Sequence, residues 1–182
     1  MNRDALSAGL VLLLMAVQVT FVNRLPLPGD AAPDLVLLAV VGYALARGAR
    51  AGAVMGFTAG LFGDLLPPAA HEMGQYALVL CLVGFVAGRW AESRPEAGLA
   101  VALGCAALGP VVAVVVGVVF GGAEAGVVAL TGGLLPVMLY NVLAAPPMVW
   151  AATRVVRGRD RSRVRSRERG ARRAGRLAGG RP

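Results

Sequence analysis

The chain has 182 residues, of which 57% are hydrophobic and only 15% charged. A soluble domain of this length carries about 25% charged residues, so the composition excludes an ordinary water-soluble globular protein and points to lipid. The net charge of +8 is unevenly spread: residues 154–182 hold 12 of the 18 basic residues against two acids, Asp160 and Glu168, which leaves the rest of the chain at −2.

The first apolar run covers about Ala5 to Val22, behind Arg3. It is long for a signal-peptide core and ends in Gln18, Thr20 and Asn23 without a small-x-small cleavage site, which predicts a retained helix. The second run, Leu35 to Ala46, opens with Pro33-Asp34, a pairing suited to a first helical turn because proline fits there and an acid favours the positive end of the helix dipole. The third is about Ala51 to Leu66, stopped by Pro67-Pro68; the fourth about Gly74 to Ala91; the fifth about Ala97 to Phe120; the sixth about Val127 to Thr153. A span needs about 20 apolar residues. Runs two and three fall short of that and are expected to use flanking residues or to be screened by neighbours.

The expected fold is therefore an all-α integral membrane protein with about six transmembrane helices in one bundle. Residues 1–153 form the polytopic membrane domain. Residues 154–182, strongly basic and with little apolar surface, form a disordered cytoplasmic tail. Arginine placement sets the orientation. Arg3, Arg47, Arg50, Arg89, Arg94 and the tail fall on one side of the alternating spans, whereas the other side has only Arg24, with the acids Asp30, Glu72 and Glu124. Both termini are thus expected in the cytoplasm, and the loops at about 23–33, 67–73 and 121–126 outside. With almost no soluble domain, recognition must occur between helices or on their lipid-facing surfaces.

Ionisable groups inside spans are costly and mark candidate sites. Asp34 opens run two and Asp64 closes run three, both near the outer face. Together they read as a polar site at the outer mouth; separately, Asp34 reads as a helix cap and Asp64 as an interfacial carboxylate. A carboxylate at a helix C-terminus is unfavourable, so Asp64 requires compensation from Arg24 or from backbone donors. Asn141 needs a hydrogen-bond partner in hydrocarbon. With Gln18 and Tyr140 it is among the uncharged polar residues deepest in their runs, and Pro136, Pro146 and Pro147 bracket it. These prolines predict a kinked helix whose freed polar groups are met inside the bundle, either as a binding site or as a packed kink.

Run three carries Gly52, Gly56 and Gly60 at spacing four, and run four carries Gly84 and Gly88. Such stripes let membrane helices approach closely, either docking a partner protein or packing the bundle itself. Cys81 and Cys105 lie in apolar runs and read as small hydrophobes, with no accompanying redox or metal motif. His71 and Glu72 share a short outer loop and read as solvated. No nucleophile–base signature or phosphate-cradling motif is present, so the sequence reads as a non-enzyme without cofactor or metal. The Arg-rich tail lacks aromatic residues for base stacking, which fits anionic lipid head groups and not nucleic acid.

Several segments together resemble the rod shape-determining MreD family. They are Pro33-Asp34-Leu35 leading to Ala46-Arg47-Gly48; Arg50-Ala51-Gly52, Gly56-Phe57, Ala59-Gly60-Leu61 and Asp64-Leu65; Gly74 through Leu78, Val83-Gly84-Phe85 and Ala87-Gly88-Arg89; and Tyr140-Asn141, Pro146 and the basic end at Arg154 to Arg157. The resemblance covers about residues 5–157, and the long Arg tail departs from the shorter ends usual in that family. It implies a non-enzymatic component of the bacterial cell-wall elongation machinery in the plasma membrane. Such a protein would bind MreC and connect indirectly to MreB filaments and wall synthases. The resemblance also implies a fold similar to the substrate-binding subunit of energy-coupling-factor transporters, and that subunit, which binds a small molecule, is the alternative function. On this reading Asp34, Gly52, Gly56, Gly60, Asp64 and Asn141 are the candidate partner-contact or polar intramembrane residues.

Overall fold

The computed structural model describes residues 31–65, 74–121 and 133–154, together with the helical positions 9, 13, 15–18 and 20. Five helices follow in chain order: α1 (Leu35–Arg47), α2 (Ala49–Leu65), α3 (Gln75–Ser93), α4 (Gly98–Gly121) and α5 (Leu134–Arg154). A 3-10 turn, Pro95–Ala97, joins α3 to α4. No strand occurs among the described residues.

Three of these segments are long and apolar enough to cross a membrane: Gln75–Ser93, Pro95–Phe120 and Leu134–Arg154. The 13 residues of α1 reach only ~20 Å at 1.5 Å per residue, less than the ~30 Å hydrocarbon thickness. Burial explains how so short a helix fits. Every residue from Val36 to Ala44 is buried, so α1 faces protein on all sides. It packs against α2, α3 and α4. Gly42 faces Val149 and Ala152 of α5, and the amide of Leu35 reaches Gln18 of the N-terminal segment. The hub of the bundle is thus its shortest helix.

The ends of α1 are set by specific residues. Asp34 is the N-cap, its carboxylate accepting from the amide of Leu37. The other end closes at Gly48, a one-residue junction to α2 with φ +88°, a backbone conformation that favours glycine. The contacts also fix direction. Asp34 and Gly42 of α1 face Asn141 and Val149 of α5, so these two helices run parallel. Helices α2 and α3 run antiparallel, and so do α3 and α4, where Gly117 faces Gln75.

Run boundaries read from hydropathy agree with the helices to within a few residues. In the last run the described helix starts at Leu134, and residues 127–132 lie outside the described residues, as does most of the first run. Helix α5 continues unbroken through Pro136, Pro146 and Pro147, and α4 likewise contains Pro110. Arg154, placed in the tail by composition, is helical, and its side chain stacks on Trp150 one turn earlier. The rest of the tail, together with Arg24, His71 and Glu72, lies outside the described residues.

Candidate polar site at the α1 N-terminus

The non-helical stretch Ala31–Asp34 leads into α1 within the bundle, and backbone polar groups there need partners because lipid offers none. Side chains supply them. Gln18 uses both ends of its amide: Nε2 donates to the Pro33 carbonyl at 2.9 Å, and Oε1 accepts from the Leu35 amide at 2.9 Å. Asn141 Oδ1 accepts from the Asp34 amide at 2.7 Å. The Asp34 carboxylate accepts from Leu37 N at 2.9 Å, and the Tyr76 hydroxyl lies 2.9 Å from both its oxygens. A carboxylate at this position also meets the positive end of the α1 dipole. Four elements are therefore tied at one point: the N-terminal segment by Gln18, α1 by Asp34, α3 by Tyr76 and α5 by Asn141.

The depth of this cluster follows from α5. Asn141 is seven residues beyond Leu134, so α5 continues about 10 Å past the cluster. Asn141 is fully buried. The Asp34 N–H fixes its amide orientation, since a flipped amide would oppose two donors. Nδ2 consequently points away from Asp34 and has no hydrogen-bond partner.

Asp64 is buried at the end of α2 and accepts from three amides at the start of α3: Gly74 at 3.0 Å, Tyr76 at 3.2 Å and Ala77 at 3.1 Å. The compensation that its position demanded comes from these backbone donors. Asp34 and Asp64 do not meet directly. Tyr76 lies between them, its amide on Asp64 and its hydroxyl on Asp34.

The glycine stripe lies elsewhere, along the α2–α3 interface. A Cβ on Gly52 would meet the Gly84 carbonyl, one on Gly56 the Leu80 carbonyl, and one on Gly60 the Ala77 backbone. Each step forward along α2 corresponds to a step back along α3, as an antiparallel pair in backbone contact requires. The stripe packs inside the bundle, and the face of α2 turned outward carries Val54, Phe57, Leu61 and Phe62.

Two participants were not singled out from sequence. Tyr76 sits at the start of an apolar run, where its ring alone explains it; only Asp34, 42 positions earlier, gives its hydroxyl a purpose. Glu92, one residue past the end of run four as read from hydropathy, accepts from Ala49 N at 2.9 Å through its Oε1 and so caps α2. Tyr140 is half-buried, and Cys81 and Cys105 are free thiols. Among the described residues no three of His, Cys, Asp or Glu converge as a metal site would require. Comparison with family models, with curated proteins and with solved structures gives no match.

Proposed function

We propose that this chain is a non-enzymatic membrane scaffold of the bacterial cell-wall elongation machinery, of the MreD type, which acts in cell-shape control and peptidoglycan synthesis by binding an MreC-like protein. It spans the plasma membrane about six times with both termini in the cytoplasm, in a bundle similar to the binding subunit of energy-coupling-factor transporters. MreB filaments and wall synthases are reached indirectly, and the Arg-rich tail lies on anionic head groups.

One observation carries the reading beyond the order of the sequence motifs. The intramembrane polar groups Asp34, Asp64 and Gln18 are engaged with this protein's own backbone amides and carbonyl. Groups that tie helices together build a rigid platform, whereas a solute site presents convergent polar groups to a cavity. With the glycine stripe packed internally, partner contact falls to the outward apolar faces.

The second reading, a small-molecule-binding subunit of an energy-coupling-factor-type transporter, has one observation in its favour: the buried, unpartnered Nδ2 of Asn141. Affinity purification from native membranes in mild detergent, followed by mass spectrometry, separates the two. Recovery of an MreC-like protein with wall synthases is expected. Recovery of paired ATPases and a coupling membrane protein, without an MreC-like protein, would overturn the scaffold reading.

A further inference from the structure

The two tryptophans of the chain, Trp90 and Trp150, sit in the same short pattern. Trp90-Ala91-Glu92-Ser93-Arg94 closes α3, and Trp150-Ala151-Ala152-Thr153-Arg154 ends the described part of α5. In both, the hydroxyl residue bonds back to the helix: Ser93 Oγ to the Arg89 carbonyl at 3.0 Å, Thr153 Oγ1 to the Val149 carbonyl at 2.8 Å. Both segments lie at the same end of the bundle, where Arg47, Arg50 and Arg89 also lie; Glu92 on Ala49 N and Gly42 against Ala152 fix that alignment.

The two copies differ in one respect. On α5 the Arg154 guanidinium stands over the Trp150 ring, 4.1 Å from its centroid, a cation–π arrangement that holds the plane while leaving its N–H edge free. On α3 the intervening Glu92 carries an acid into the pattern, and Arg94 has already left the helix at φ −141°. Leu135, Leu139, Leu143 and Trp150 form one exposed apolar stripe that ends at Arg154. An acyl chain laid along that stripe brings its own phosphate to the guanidinium, whose planar fork matches phosphate oxygens bidentately.

We propose that Trp150 and Arg154 form a binding site for the phosphate of an anionic phospholipid whose chains lie on the outward face of α5. This deepens the lipid contact assigned above to the basic tail and is separable from it, since residues 155–182 contain arginines but no aromatic residue. It holds whether the protein is a scaffold or a transporter subunit.

The test uses the full chain in phosphatidylcholine vesicles. Trp90→Phe leaves Trp150 as the single reporter, and Trp90 is exposed, so the fold is not at risk. Fluorescence quenching by brominated phosphatidylglycerol is compared with quenching by equally brominated phosphatidylcholine. A preference of about fivefold is expected, the factor equivalent to about 1 kcal/mol for one arginine at the interface. Arg154→Ala, at an exposed position, should remove it; Arg163→Ala, the same charge change within the tail, should leave most of it. Equal loss in the two variants, or no preference in the parent, overturns the site in favour of diffuse attraction. Abolition of the preference by inorganic phosphate in the buffer overturns the lipid in favour of a soluble anion.

Discussion

Asp64 and Glu92 are equivalent residues at opposite ends of the α2–α3 pair. Each is the penultimate residue of its own helix, and each accepts hydrogen bonds from amides at the start of the other. A carboxylate at a helix C-terminus opposes the dipole of that helix, yet in an antiparallel pair the same position faces the positive end of the neighbour. Between these two clasps the glycines bring the backbones together.

The clasps should differ in strength. Asp64 is buried and takes three donors, whereas the Glu92 side chain is 48% exposed, takes one backbone donor, and lies 3.9 Å from Arg89. Asp64→Ala leaves buried amides without acceptors and is expected to cost about 2–3 kcal/mol. Glu92→Ala loses a solvent-accessible cap and should cost about 0.5–1 kcal/mol. Unfolding in mild detergent, followed by fluorescence, gives the order. A Glu92→Ala loss as large as that of Asp64→Ala would refute the dependence on burial.

The stripe makes a second prediction. Gly56→Leu drives a side chain into the Leu80 backbone and should separate α2 from α3, lowering folded yield before any partner is considered. Gly52→Ala, with a single methyl against the Gly84 carbonyl, should destabilise by about 1–3 kcal/mol. Gly104 on α4 has nothing within 4 Å of an added Cβ. Gly104→Ala should therefore be neutral, or stabilising by up to about 1 kcal/mol through helix propensity. Thermal midpoints of the three variants decide it; a tolerated Gly56→Leu would mean the helices do not meet there.

What was legible in sequence were properties of one segment at a time. Apolar runs gave the helices, Pro33-Asp34 gave the start of α1, and the misplaced charge of Asp64 gave a demand for donors. Spacing four in runs three and four gave two sticky faces but not their mutual register, which depends on the turn between them. Partners distant in sequence were not legible. Nothing local pairs Asn141 with Asp34 or Tyr76 with both carboxylates, and the complete burial of α1 is a property of its surroundings. Run two looked too short for a span because a span was measured against lipid, whereas α1 is measured against the helices around it.

Convergence on Asp34 yields a third prediction. Asn141→Ala removes the acceptor of the Asp34 amide, and Tyr76→Phe removes a donor to its carboxylate. Each is expected to cost about 0.5–2 kcal/mol, the range found for hydrogen bonds between membrane helices. Because both act through one residue, their effects should not add, and the double variant should depart from the sum by at least about 0.5 kcal/mol. Strict additivity in the double-mutant cycle would mean that the four elements are not joined there as one unit.

The last prediction concerns which end of the bundle faces the cytoplasm. All five described arginines, Arg47, Arg50, Arg89, Arg94 and Arg154, lie at one end, and Asp34 and Asp64 at the other. Positive residues are retained on the cytoplasmic side during insertion. Ser93→Cys and Glu72→Cys place thiols at the arginine end and in the segment between α2 and α3, respectively. An impermeant maleimide applied to intact spheroplasts should label Glu72→Cys and reach Ser93→Cys only after permeabilisation. The parent's own Cys81 and Cys105 lie within α3 and α4 and set the background. Labelling in the reverse order would invert the protein and place the Trp150–Arg154 pair at the outer surface.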